Sequence, residues 1–122
     1  MAKILVIDDD EIMNELMVAM LTKDGYEVHR AFDGNQGIAL FKAQQFDLVV
    51  TDIIMPDKEG LETIREIRAT GRPVPIIAVS GGGKARPEGY LAVAQSFGAD
   101  YAFEKPLDKE PFLAAVRECL DS

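Results

Sequence analysis

Leu48-Val49-Val50-Thr51-Asp52 is a short apolar run that stops on a carboxylate, and its reading decides the fold. Leu48, Val49 and Val50 predict a strand in a parallel sheet, because a strand between two helix layers must be apolar on both faces. Asp52 then stands at the carboxyl end of that strand, where open α/β sheets place their ligands. Ile4-Leu5-Val6-Ile7 repeats the pattern and stops on Asp8, Asp9 and Asp10. Two buried strands that both end on acids imply one site with several carboxylates.

Outward from these runs, strand and helix signals alternate. Strands are predicted at residues 3–8, 26–32, 47–51, 76–79 and 100–104. Ile12, Met13, Leu16, Met17 and Met20 predict the buried stripe of a first helix, with Asp9 or Asp10 as N-cap and Gly25 just past its end. A second helix follows the Asp33-Gly34 turn, carries Ile38, Leu40 and Phe41, and ends near Gln44. Gly60 to Ala69 predicts a third, with Leu61, Ile64 and Ile67 on one face. Leu91, Ala94 and Phe97 mark a fourth, closed by Gly98, and the glycine-rich stretch Gly81 to Gly89 before it reads as a flexible loop. Asp108 is the expected cap of a last helix with Phe112, Leu113, Val116 and Leu120 inside. Five β-α units predict an α/β doubly wound sandwich with helices on both faces of a parallel sheet, residues 1–122 forming one domain.

A chain of 122 residues can bury a core of its own. Its net charge of −8 lies mostly in residues 1–60. No basic footprint for nucleic acid is present, so direct DNA binding is not expected. Membrane-surface binding lacks its basic amphipathic helix, and no apolar run approaches the roughly 20 residues that span a bilayer. Met-Ala-Lys running straight into a strand leaves no room for a signal peptide, and the single Cys119 forms no internal disulfide, so a cytoplasmic protein is expected.

The predicted strand ends carry Asp8 and Asp9, Asp52, Ser80 and Lys105, and three carboxylates converge if the first and third strands are neighbours. Two ionised carboxylates 4 Å apart repel by about 4 kcal/mol at an effective dielectric near 20. Three such pairs would cost on the order of 10 kcal/mol, comparable to the whole stability of a small domain. The acids must protonate, separate or bind a cation, and Mg²⁺ suits hard oxygen ligands that leave positions for phosphate oxygens. A lysine and a hydroxyl at the same rim complete what a moving phosphoryl group needs, and a carboxylate can itself be the nucleophile.

Ile4 to Asp9 (ILVIDD), Leu48 to Pro56 (LVVTDIIMP), Ile76 to Ser80 (IIAVS) and Phe103 to Pro106 (FEKP) resemble the receiver domain of bacterial two-component response regulators. The resemblance covers essentially the whole chain. It implies a flavodoxin-like sheet of order 2-1-3-4-5, with Asp52 as phosphoacceptor. It further implies that Asp8, Asp9, Asp52 and the backbone carbonyl of Ile54 hold Mg²⁺, that Ser80 and Lys105 contact phosphoryl oxygens, and that Lys105-Pro106 is a cis peptide. The implied phosphodonor is a histidine kinase or a histidine phosphotransfer protein, and the reader a downstream protein or fused output domain. Such a chain is a signalling switch, not a turnover enzyme. Two departures stand out. Ala102 occupies the place, three residues before Lys105, where the family often has an aromatic switch residue; Tyr101 is one residue off and should face the other side of the sheet. The stretch after the fourth strand is also rich in glycine.

Other functions fit less well. A phosphohydrolase would want a further acid or base beside the nucleophile, at position 54, where the chain has Ile54. A receiver acting only as a binding module would not need the acids, hydroxyl and lysine that are all present. Flavin phosphate would be repelled by the acids. Gly81-Gly82-Gly83-Lys84-Ala85 lacks the spacing of a phosphate-binding loop and its Ser or Thr after the lysine. His29 has no ligand partner in sequence and reads as structural or exposed, the methionines as core fillers and Cys119 as a packed helix residue.

Overall fold

The computed structural model describes residues 1–53, 60–80, 95–105 and 107–121. Strands β1 (Lys3–Ile7), β2 (Glu27–Ala31), β3 (Leu48–Asp52), β4 (Ile76–Ser80) and β5 (Tyr101–Glu104) form one sheet of order β2-β1-β3-β4-β5. All four pairings are parallel. Helices α1 (Glu11–Lys23), α2 (Gly34–Ala43), α3 (Gly60–Ala69) and α4 (Lys109–Asp121) complete the described elements. This is the flavodoxin-like arrangement that the resemblance implies. The helix expected around Leu91 and Ala94, the loop from Gly81 to Gly89, Ile54 and the Lys105-Pro106 peptide fall, wholly or in part, outside the described residues.

Alternation along each strand divides the core in two. Leu5, Ile7, Val49, Ile76 and Ala78 face α2 and α3, where Ile38, Phe41, Ile64 and Ile67 meet them. Ile4, Val6, Leu48, Val50, Ile77 and Val79 face α1 and α4, against Met17, Leu21, Phe112 and Val116. Every residue of β3 and β4 is buried, as strands covered on both faces must be.

The first helix corrects the sequence reading. Asn14, Met17 and Leu21 are its buried positions, while Ile12 is 80% exposed and Leu16 49%. Residues three and four apart share a helix face, so once Asn14 points inward, Ile12 and Leu16 are turned away from the sheet. Strand bounds shift by one residue for local reasons. Tyr26 N–H donates to Leu21 O and Phe32 N–H to the Gln36 side chain, so neither belongs to β2. Asp52 joins β3 because it pairs with Val79. His29 lies on edge strand β2, with Nε2 2.7 Å from Glu27 and its ring edge-on to Phe46, as a structural residue.

Arg68, in the last turn of α3, ties the entries of two strands together. Its guanidinium donates to Gly98 O at 2.7 and 3.0 Å, to Val74 O, and to Asp100 Oδ2 at 3.1 Å. The same Asp100 oxygen accepts the Ile76 N–H at 2.9 Å. Gly98 has φ +124°, and a Cβ there would come within 2.8 Å of Arg68 Cγ, so glycine is required twice over. Replacing Arg68 leaves carbonyls without donors at the start of β4 and β5. Arg68→Ala is expected to lower stability by about 1–3 kcal/mol in urea unfolding; an unchanged midpoint would show that water replaces the guanidinium without loss.

Candidate functional site

Sheet order decides which strand ends meet. β1 pairs with β3 in a register that sets Ile7 beside Thr51, so Asp8 and Asp52 follow side by side at the carboxyl edge. β4 lies on the other flank of β3 and ends on buried Ser80. β5 sets Glu104 beside Ser80, and the Lys105 N–H donates to Ser80 O at 2.8 Å, carrying the lysine over the same edge. Lys105 Nζ reaches 2.8 Å from Asp8 Oδ2 and 3.7 Å from Asp52 Oδ2. One carboxylate oxygen from each of Asp8, Asp9 and Asp52 lies within 4.8 Å of the other two.

The acids differ in how they are held. Asp8 is fully buried, with Oδ1 accepting the Asp10 N–H at 2.9 Å. Its Oδ2 is at ion-pair distance from Lys105, yet no hydrogen bond reaches it with good direction. Asp52 is also buried, and Oδ1 accepts the Ile53 N–H at 2.8 Å, which fixes the rotation of the carboxylate. Asp9 is exposed at the mouth. Asp10 caps α1, its side chain accepting from the N–H groups of Ile12 and Met13, so the DDD run is divided between site and helix.

Burial dominates the electrostatics. It raises the Asp52 pKa to about 7, with the Asp8 and Asp9 charges adding to the rise and Lys105 and the Ile53 N–H opposing it. Burial raises Asp8 as well, opposed by Lys105 and the Asp10 N–H. One ammonium thus stands against two buried acids and a third at the exposed mouth. Three carboxylate oxygens within 4.8 Å of one another, with a single ammonium to offset them, form an all-oxygen donor set that fits a hard divalent cation such as Mg²⁺.

Two positions escaped the sequence reading. Asn14 is fully buried and donates both amide hydrogens, to Asp8 O at 3.0 Å and Ala31 O at 2.9 Å. The available signal was a polar, weakly helix-forming residue in phase with Met17 and Leu21. Gly60 is the second. Its N–H donates to Ile53 O at 2.6 Å, and a Cβ would fall 1.9 Å from Asp52 O, so α3 starts in direct backbone contact with the end of β3. The predicted facing of Tyr101 holds: it packs with Phe103 on the α1/α4 side, while Ala102 lies on the α2/α3 side. Ile54 is outside the described residues. Burial and the Asp100 and Glu118 carboxylates push the Cys119 thiol up to about 11, which keeps it protonated.

The response regulator receiver domain family matches residues 4–117. Over 119 residues the chain is 37% identical to the response regulator MprA of Mycolicibacterium vanbaalenii, covering 97% of this chain and 50% of that protein. It is 33% identical over 116 residues to the transcriptional regulatory protein DltR of Streptococcus agalactiae, covering 94% of this chain and 50% of that protein. The chain therefore spans about half the length of these curated relatives. Among solved structures, the response regulator TrrA of Thermotoga maritima, in complex with Mg²⁺ and BeF, superposes with a TM-score of 0.86 at 30% identity, covering 98% of this chain and 100% of that one.

The raised carboxyl values set a pH dependence. With a reference value of 3.8 and a folded value of about 7, Asp52 binds more protons in the folded than in the unfolded chain between those limits. Stability without metal should fall as pH rises from about 4 to about 7, by at most about 4 kcal/mol from this group. Asp52→Asn should flatten that slope and raise metal-free stability at pH 8. Urea unfolding across the range reads both, and an unchanged slope in Asp52→Asn would place the titration elsewhere.

Proposed function

The chain belongs to the response regulator receiver family, whose members act as phosphorelay switches rather than turnover enzymes, and we propose that Asp52 is its phosphoacceptor. The observation that carries this reading is the convergence of Asp8, Asp9 and Asp52 within 4.8 Å, with Lys105 Nζ 3.7 Å from Asp52. The donor is the phosphohistidine of a histidine kinase or histidine phosphotransfer protein. An Asp52 carboxylate oxygen attacks phosphorus, the phosphorus–nitrogen bond breaks, and the imidazole leaves with a proton taken from solvent.

Each neighbour has a part in that transfer. The Ile53 N–H holds the carboxylate in one rotation. Lys105 offers a fixed positive charge to the incoming oxygens, and Ser80, at the end of the adjoining strand, offers a hydroxyl. Asp8, Asp9 and Asp52, with the carbonyl of Ile54, would hold Mg²⁺. When bound, the ion neutralises carboxylate and phosphoryl oxygens and favours the ionised, nucleophilic form of Asp52. The transferred group replaces a single carboxylate with a larger anion at the end of β3. That change is read by a downstream protein or a fused output domain.

Treatment with acetyl phosphate and Mg²⁺ tests the assignment by intact-mass spectrometry. One added phosphoryl group is expected, absent in Asp52→Asn and absent when the metal is chelated. A fully modified Asp52→Asn protein would sink the assignment. Lys105→Ala should still accept the group, since Mg²⁺ can neutralise the same oxygens; complete loss of acceptance would make the lysine essential to the transfer itself.

A further inference from the structure

Asn14 sits at 0% exposure inside the first full turn of α1, five residues beyond Asp9 in the chain. Carbonyl oxygens only accept, so its contacts with Asp8 O and Ala31 O fix the amide with nitrogen toward both. That choice leaves Asn14 Oδ1 buried without a hydrogen-bond partner. A buried acceptor left in this state costs free energy that an apolar residue of the same size would avoid. If Asn14 only filled space beside Met17 and Leu21, a leucine would serve better. Its two donors are the reason for the amide.

Those donors act on a single point in the chain. Asp8 is one residue past the end of β1, so its carbonyl lies beyond the strand proper. The Asp8 N–H donates to Ala31 O at 3.1 Å, and the Asn14 amide takes Asp8 O together with that same Ala31 oxygen. Both peptide groups of Asp8 are thereby fixed to the end of β2 and to α1. The direction in which the chain leaves Asp8 decides where Asp9 points, and the fixed backbone of Asp8 decides where its own carboxylate is aimed.

We propose that Asn14 is a positioning residue for the Asp8–Asp9 half of the cation site, acting through the backbone of Asp8. The inference rests on the Mg²⁺ reading of that acidic cluster given above. Groups that orient metal ligands without touching the ion typically change its affinity 10- to 100-fold when removed. Loss of the Asn14 donors frees the Asp8 carbonyl but removes none of the three carboxylates, so the ion loses arrangement, not charge.

Calorimetric titration with Mg²⁺ alone, in the absence of phosphodonor, tests this on the full chain. Asn14→Leu, similar in volume but without donors, should bind Mg²⁺ at least about tenfold more weakly than the unaltered protein. Asn14→Ser, which keeps one donor, should also bind more weakly and serves if the leucine variant does not fold. Arg68→Ala, destabilised at the other end of the sheet, should keep the unaltered affinity at a temperature where both are folded. Unchanged affinity in a folded Asn14→Leu or Asn14→Ser would overturn the inference while leaving the Mg²⁺ reading intact. No Mg²⁺ binding by the unaltered chain would overturn that reading and the inference with it. Failure of both variants to fold, or an equal loss of affinity in Arg68→Ala, would make Asn14 a residue of general stability and also overturn it.

Discussion

Two buried carboxylates, a third at the exposed mouth and one ammonium share an edge of the sheet, and this electrostatic imbalance governs the molecule's chemistry. Desolvation disfavours the ionised form of Asp8 and Asp52, and their mutual repulsion adds to it. Lys105, 2.8 Å from one and 3.7 Å from the other, offsets only part of that cost. The site is therefore poised to take up positive charge, as protons or as a cation. A group with a pKa near 7 can be shifted by a modest change in its surroundings, and a bound divalent ion is a large one.

The fold holds that imbalance in place. Buried β1 and β3 are flanked by helices on both faces, and their shared register sets Asp8 beside Asp52. Backbone groups then fix the two buried carboxylates, the Asp10 N–H on Asp8 and the Ile53 N–H on Asp52, while the Lys105 N–H on the Ser80 carbonyl fixes the lysine's backbone at the same edge. Repulsion that would drive mobile acids apart is resisted by strands that cannot move without opening the core. At the far edge, Arg68 fastens the starts of β4 and β5 to α3, whose first residue touches the backbone of Asp52. α3 thus contacts the acidic edge at one end and the strand entries at the other.

Most of the architecture was legible because burial on both faces leaves a mark on composition. The apolar runs at residues 4–7, 48–50 and 76–79 have no polar side, which in a chain of this length means strands between helix layers. The α1 stripe was misread for a related reason. Hydrophobicity nominates Ile12 and Leu16 for the core, and nothing local tells that Asn14 has two carbonyls to satisfy there. Those carbonyls lie just past the end of β1 and at the end of β2, one six residues away and the other seventeen. Gly60 starts α3 as predicted, but its close approach to the Asp52 carbonyl is long-range information that the sequence does not carry.

The sequence by itself determined that acids would end the first and third strands, that Ser80 and Lys105 would end the fourth and fifth, and that Tyr101 and Ala102 would face opposite ways. Each of these follows from periodicity and from where an apolar run stops. Only the tertiary structure decided how close Lys105 Nζ comes to each acid, which of three consecutive aspartates caps a helix, and that Asn14 points inward. It also decided that the Asp52 carboxyl titrates near neutrality. Coulomb energy and desolvation depend on distance and on excluded water, and a linear chain specifies neither until its strands lie side by side.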